Sequence, residues 1–111
     1  IANWAANTYF LEMVDASAKV YLYQPAYLHN KTLSIDSVVC SIGTANMDIR
    51  SFNINYEMNA ILYDATKTKE LEAAFHKDLE GCVLFDAKAY RAQSRLIRFR
   101  DSLARLLSPL L

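Results

Sequence analysis

Residues 28–46 read "LHNKTLSIDSVVCSIGTAN". The stretch around 27–35 looks like a β-strand, yet with Asp36 it carries a histidine and a lysine at H-x-K-x4-D spacing. Side chains alternate between the faces of a strand, so His29 and Lys31 are expected on one side, about 7 Å apart. A ring that exchanges protons near neutral pH beside a fixed positive charge suits an anionic substrate, phosphate above all. An exposed edge strand with ordinary polar residues would look the same, so the neighbouring segments have to decide.

A further strand is expected over about 38–42, ending at Gly43, and residues 44–51, "TANMDIRS", read as a loop with a short helical turn. Residues 52–63 alternate, with Phe52, Ile54, Tyr56 and Met58 to one side and Asn53, Asn55, Glu57 and Asn59 to the other, which predicts one long strand. A sheet covered by helices on both sides is apolar on both faces. The asparagine-rich row therefore implies a face that meets water, a partner or a site; a sheet with one wet face fits it equally well. Outward from there, the pattern predicts a helix over 3–16, a strand over 19–25 that stops at Pro25, and a helix capped by Thr66 that runs to about 80 and ends at Gly81. A last helix is expected over 91–107, stopping before Pro109. This order predicts an α/β or α+β fold, a mixed sheet flanked by helices, in one domain over 1–111.

The composition agrees. The 111 residues, 53% hydrophobic and 22% charged, make a globular chain with one modest core. The net charge is zero but unevenly placed: residues 91–107 hold five arginines against Asp101, a net +4, so the rest carries −4. That points to a local anionic contact rather than general nucleic-acid binding. Cys40 and Cys82 stand alone, without the paired spacing of a zinc site. No stretch approaches the roughly 20 apolar residues of a membrane span. The chain opens at Ile1, without a methionine and with a helix already under way, and is expected to be a piece of something longer.

Read together, residues 29–46 spell H-x-K-x4-D-x6-G-T-x-N, which resembles the HKD signature of the phospholipase D superfamily. Glu57 follows His29 by 28 residues and Asn46 by 11, where that family places an acid that hydrogen-bonds the catalytic imidazole. Residues 27–64, with "GTANMDIRSF" and then "NYEMN", are similar to the second HKD segment of bacterial cardiolipin synthases. The ending "RFRDSLARLLSPLL" is similar to their carboxyl terminus. Those enzymes carry two HKD segments, and only one is present in this chain.

The resemblance implies a carboxyl-terminal phospholipase D-like half-domain, lacking its amino-terminal elements. It implies a phosphatidyltransferase that joins two phosphatidylglycerol molecules into cardiolipin and releases glycerol, at the surface of the bacterial inner membrane. In the catalytic set, His29 would be nucleophile or general acid/base, the latter if the amino-terminal histidine attacks phosphorus. Glu57 would accept a hydrogen bond from the far ring nitrogen and fix the tautomer. Lys31 and Asn46 would bind the phosphoryl oxygens, with a further hydrogen bond from Thr44. Asp36 completes the motif, and the resemblance makes it more structural than catalytic, tying its strand to neighbouring backbone. No metal or cofactor is implied. Asp48, Arg50 and Ser51 are expected to fix the loop after Asn46 through a salt bridge, and His76 to be a solvated surface residue. The expected partners are phosphatidylglycerol, membrane phospholipid and the amino-terminal HKD half, with no nucleic acid. The isolated piece is expected to be inactive and to self-associate. A phosphodiesterase of the same fold, either a phospholipase D or a homodimeric nuclease, is the alternative enzyme; an inert assembly or docking piece is the alternative of another class. In the last helix Leu96, Ile97, Phe99, Leu103, Leu106 and Leu107 share a face that would dock on the domain or lie on an anionic bilayer.

Overall fold

The structure, a computed structural model, describes residues 2–110. Its elements are α1 (Ala2–Asp15), β1 (Tyr21–Tyr23), β2 (Thr32–Ile35), β3 (Val39–Gly43), α2 (Ile49–Asn53), β4 (Asn59–Leu62), α3 (Ala65–Asp78), β5 (Cys82–Leu84), α4 (Ala87–Arg91) and α5 (Arg95–Leu106). The fold is α+β, with a two-stranded sheet of β1 and β5 and a three-stranded sheet in the order β2-β3-β4. The chain forms two compact units, Ile1–Leu22 with Val83–Leu111, and Tyr23–Cys82.

In the first unit α1 packs on α5. Small side chains, Ala5 and Ala104, are buried there and let the helices approach closely. Beside them Asp101 is wholly buried, accepting from Tyr90 Oη at 2.9 Å, Asn7 Nδ2 at 3.3 Å and Arg100 Nη2 at 2.7 Å. Burial alone would raise its pKa, but the hydrogen bonds from Arg100, Tyr90 and Asn7 outweigh that and hold it below the usual aspartate value. Glu12 and Asp15 sit in the last turn of α1, where the helix dipole disfavours acids. Arg105 and Arg91 answer them as ion pairs. α1 ends in a Schellman motif: Ser17, at φ 71°, donates to Val14 O at 3.0 Å, and Ala18 donates to Met13 O at 2.9 Å.

The predicted last helix starts only at Arg95, and a separate short helix, α4, precedes it and shares only Arg91 with the predicted range. Ser94 caps α5 by accepting from Ile97 N–H, and Asp86 caps the separate α4. α5 also docks beside its apolar stripe rather than through the middle of it. Ala104 and Asp101 face α1, while Leu96 and Leu106 stay 77% and 75% exposed.

The second unit is built on an antiparallel ladder in which Leu33 pairs with Ser41 and Ser41 with Ile61, while Ser34 pairs with Cys40 and Cys40 with Leu62. Paired residues share a face. The face of Ser34, buried Cys40 and Leu62 carries α3, which Glu72 ties to the β2–β3 turn by accepting from Ser37 Oγ at 2.6 Å. The other face exposes Leu33, Ile35 and Ile61. Asp64, not Thr66, caps α3: its carboxylate accepts from Thr66 N at 2.9 Å and Lys67 N at 3.1 Å.

Three predicted strands are shorter than expected: 19–25 is strand only over Tyr21–Tyr23, and 27–35 and 52–63 are shortened for one reason. A strand persists only where a partner strand runs beside it. β2 starts at Thr32, leaving His29 and Lys31 ahead of it, because β3 ends at Gly43; a last bond, Gly43 N to Lys31 O at 3.3 Å, closes the ladder. The stretch 52–63 is strand only over Asn59–Leu62. Before it Asp48 caps α2, and the N–H groups of Ile54 and Asn55 fold back on Arg50 O at 2.9 and 2.7 Å. Asn53, Asn55, Glu57 and Asn59 therefore do not form one strand face.

Candidate active site

The antiparallel order decides what comes together. The start of β2, the end of β3 and the start of β4 all lie at one end of the three-stranded sheet. The chain just outside these three points carries His29 and Lys31, then Thr44 and Asn46, then Glu57. Lys31 O and Met58 O accept from the consecutive N–H groups of Gly43 and Thr44 at 3.3 and 3.0 Å, which draws the three segments side by side. Gly43 is needed for this closeness: a Cβ there would stand 2.2 Å from Met58 O and 2.4 Å from Asn59 Oδ1.

Around Glu57 the polar groups are tightly coupled. Ser51, only 8% exposed on α2, donates its hydroxyl to Glu57 Oε1 at 2.9 Å and accepts Asn46 N–H at 3.1 Å. Its own N–H caps onto Asp48 Oδ1 at 2.7 Å. Asn55 Nδ2 reaches Glu57 Oε1 at 3.4 Å, and Thr44 Oγ1 accepts from Met58 N at 2.9 Å. The Thr44 hydroxyl first, then that of Ser51, hold the Glu57 carboxyl below the usual glutamate value. Asn59 braces the loop, accepting from Ala45 N at 3.2 Å and donating to Ser41 Oγ at 2.9 Å.

His29 and Lys31 are joined to each other rather than to that cluster. Lys31 Nζ donates to His29 O at 2.7 Å, and the imidazole lies 5.7 Å from the Tyr27 ring. Among the described residues no hydrogen bond joins the His29 ring to Glu57. Asp36 stands elsewhere: with Ser37 it forms the β2–β3 turn, at φ 53° and 56°, with Val38 N donating to Ile35 O at 3.0 Å. That turn is at the opposite end of the sheet, about 13 Å of strand away. Asp36 therefore shapes the hairpin and is too remote to touch a substrate held at the His29 end. The salt bridge expected between Asp48 and Arg50 is absent among the described residues, since Asp48 serves as a cap instead. His76 is exposed on α3 as expected, edge-on to Phe75.

Sequence reasoning missed the role of Ser51. Its only signal was its place in the "DIRSF" segment, which speaks for a fixed loop but not for a buried hydroxyl between Asn46 and Glu57. No group of three or more metal-ligating side chains occurs among the described residues.

Known proteins give an independent view. Residues 1–79 match a family described as cardiolipin synthase, phospholipase D-like domain. The chain is 44% identical over 109 residues to the cardiolipin synthase of Clostridium perfringens strain 13, covering 98% of this chain and 23% of that protein. It is 42% identical over 108 residues to cardiolipin synthase 1 of Staphylococcus epidermidis, covering 97% of this chain and 22% of that one. It is 41% identical over 108 residues to the major cardiolipin synthase of Bacillus subtilis, covering 97% and 22%. The chain thus spans under a quarter of the length of these relatives. No solved structure matches it significantly.

Proposed function

The chain belongs to the phospholipase D-like domain family of the cardiolipin synthases, and on that membership we propose that it is the carboxyl-terminal catalytic half of such a synthase. The reaction is phosphatidyl transfer between two phosphatidylglycerol molecules. A histidine of the amino-terminal HKD segment attacks phosphorus, so that a P–N bond forms and the P–O bond to glycerol breaks. His29 gives its proton to the departing glycerol oxygen. It then takes the proton of the hydroxyl on a second phosphatidylglycerol, whose oxygen displaces the histidine and yields cardiolipin.

The observation that carries this reading is the sheet register, which sets His29, Lys31, Thr44, Asn46 and Glu57 at one end of one sheet. Lys31 and the Asn46 side chain supply positive charge and hydrogen-bond donors to the phosphoryl oxygens, whose charge grows in the transition state. Glu57, kept ionised by its hydroxyl donors, is ready to accept an imidazole N–H. The His29 ring leaves Tyr27 to make that bond when substrate and the other half complete the site, as catalytic hydrogen bonds commonly tighten on binding. Among the described residues no helix is long and apolar enough to cross a membrane. This half works on lipid presented at the surface of the bacterial inner membrane.

The test is His29→Ala in the full-length synthase, assayed on phosphatidylglycerol vesicles. Loss of the acid/base group alone should lower cardiolipin formation by about 10²–10⁴-fold with the fold intact. Turnover near wild type would refute the assignment.

A further inference from the structure

Asn46 and Glu57 belong to different segments, one after β3 and one before β4, and a single buried hydroxyl connects them. Ser51 Oγ has one proton, which it gives to Glu57 Oε1 at 2.9 Å, and it accepts the main-chain N–H of Asn46 at 3.1 Å. Ser51 is only 8% exposed, so water does not readily replace either bond. The serine is itself held by its N–H to Asp48 at the start of α2, a bond that does not use the hydroxyl. The fold thus fixes Ser51 through its backbone and leaves its side chain to serve the two partners.

We infer that Ser51 is a positioning residue that sets the phosphate-binding Asn46 and the imidazole-orienting Glu57 in register with each other. This rests on the proposed transferase reading of the site and goes beyond it, because Ser51 touches neither lipid nor phosphorus. One hydroxyl makes the placement of the phosphoryl group depend on the placement of the carboxylate. The directionality matters too: the proton points to Glu57, so the bond favours the ionised carboxylate. Thr44 also favours the ionised carboxylate, but its hydroxyl donates to Met58 O at 3.4 Å and accepts from Met58 N at 2.9 Å, and it has no bond to Asn46 among the described residues.

The experiment compares full-length synthase carrying Ser51→Ala, Ser51→Thr or Glu57→Gln with wild type, reading kcat, KM and the pH profile of kcat/KM on phosphatidylglycerol vesicles. Circular dichroism and thermal melting check each variant for folding. Ser51→Ala should lower kcat by about 10–100-fold, the cost that loss of an orienting partner carries behind metal-ligating side chains. Its acidic limb should move to higher pH, because the carboxylate has lost a donor that favoured the ionised form. Ser51→Thr, which keeps the hydroxyl, should restore both. A folded Ser51→Ala enzyme with wild-type kcat and limb overturns the inference, and so does a slower one whose acidic limb stays in place. Glu57→Gln separates the two levels of the argument: if it abolishes turnover while Ser51→Ala is normal, only the coupling fails. If Glu57→Gln itself turns over normally, the reading of the site fails.

Discussion

Asp101 illustrates how single residues here carry more than their type suggests. It was legible in the sequence only as the lone acid among five arginines, yet it is wholly buried and receives Tyr90, Asn7 and Arg100. Its folded pKa lies below the unfolded value, so it adds stability above the ordinary aspartate value of about 4. That contribution is lost as pH falls through the folded value. Asp101→Ala leaves the Tyr90 hydroxyl and the Asn7 amide without their buried acceptor, which should cost about 2–4 kcal/mol at neutral pH. Urea denaturation at a series of pH values checks this: the gap between variant and wild type should narrow as the medium becomes acidic. A gap that stayed constant would mean the carboxylate's charge contributes nothing. The motif residues contrast with Asp101. The resemblance to an HKD segment led to His29, Lys31, Asn46 and Glu57, because the chemistry of phosphoryl transfer restricts which residue types serve it. It could not find Ser51, whose importance comes only from what it touches.

Elements were legible where a local rule decides them and illegible where a partner does. The helices over 2–15 and 65–78 follow their periodicity, and the loop after Gly43 has its short helix. Cap choice was decided by competition: Asp64 and Thr66 both suit the start of α3, and the carboxylate reaches two N–H groups where the hydroxyl of Thr66 would come two residues late. Asp64→Ala should therefore destabilise the domain by about 1 kcal/mol in chemical denaturation, and Thr66→Ala should do much less. Equal effects would mean that the assignment of the cap is wrong. The strand predicted over 52–63 failed because alternation of polar and apolar residues is necessary for a half-buried strand but does not supply a neighbour. β3 is only five residues long, so β4 finds partners for four, and the rest of that stretch bonds to itself around α2. β5 and α4 went unseen for a related reason, since three residues of strand and five of helix are too short to show a period.

For the molecule as a whole, the α+β class followed from the order of elements, but the way apolar surface is distributed did not. Of the two roles expected of the leucine stripe in the last helix, docking on the domain or lying on an anionic bilayer, the first is not what the fold uses. Instead α5 meets α1 through Ala104 and Asp101, while Leu96, Phe99, Leu103 and Leu106 remain exposed. Trp4, Ile97, Leu103 and Leu107 line an open apolar groove of about 500 Å³ in the same unit. In the other unit Leu33, Ile35 and Ile61 leave one face of the three-stranded sheet exposed. Apolar patches of this kind are uncommon on stable monomers and drive association. β2 is moreover an edge strand of its sheet, a second route to pairing with another chain. The 111-residue chain by itself should therefore self-associate. It should also form no cardiolipin, because the histidine that attacks phosphorus in the proposed reaction comes from another segment. Light scattering across a concentration series and a lipid assay on the purified chain test both halves. Leu96→Lys with Leu106→Lys should weaken association without unfolding the chain, since neither side chain is buried. A monomer at all concentrations would show that these faces are not adhesive, and cardiolipin made by the isolated chain would show that a single HKD segment is sufficient.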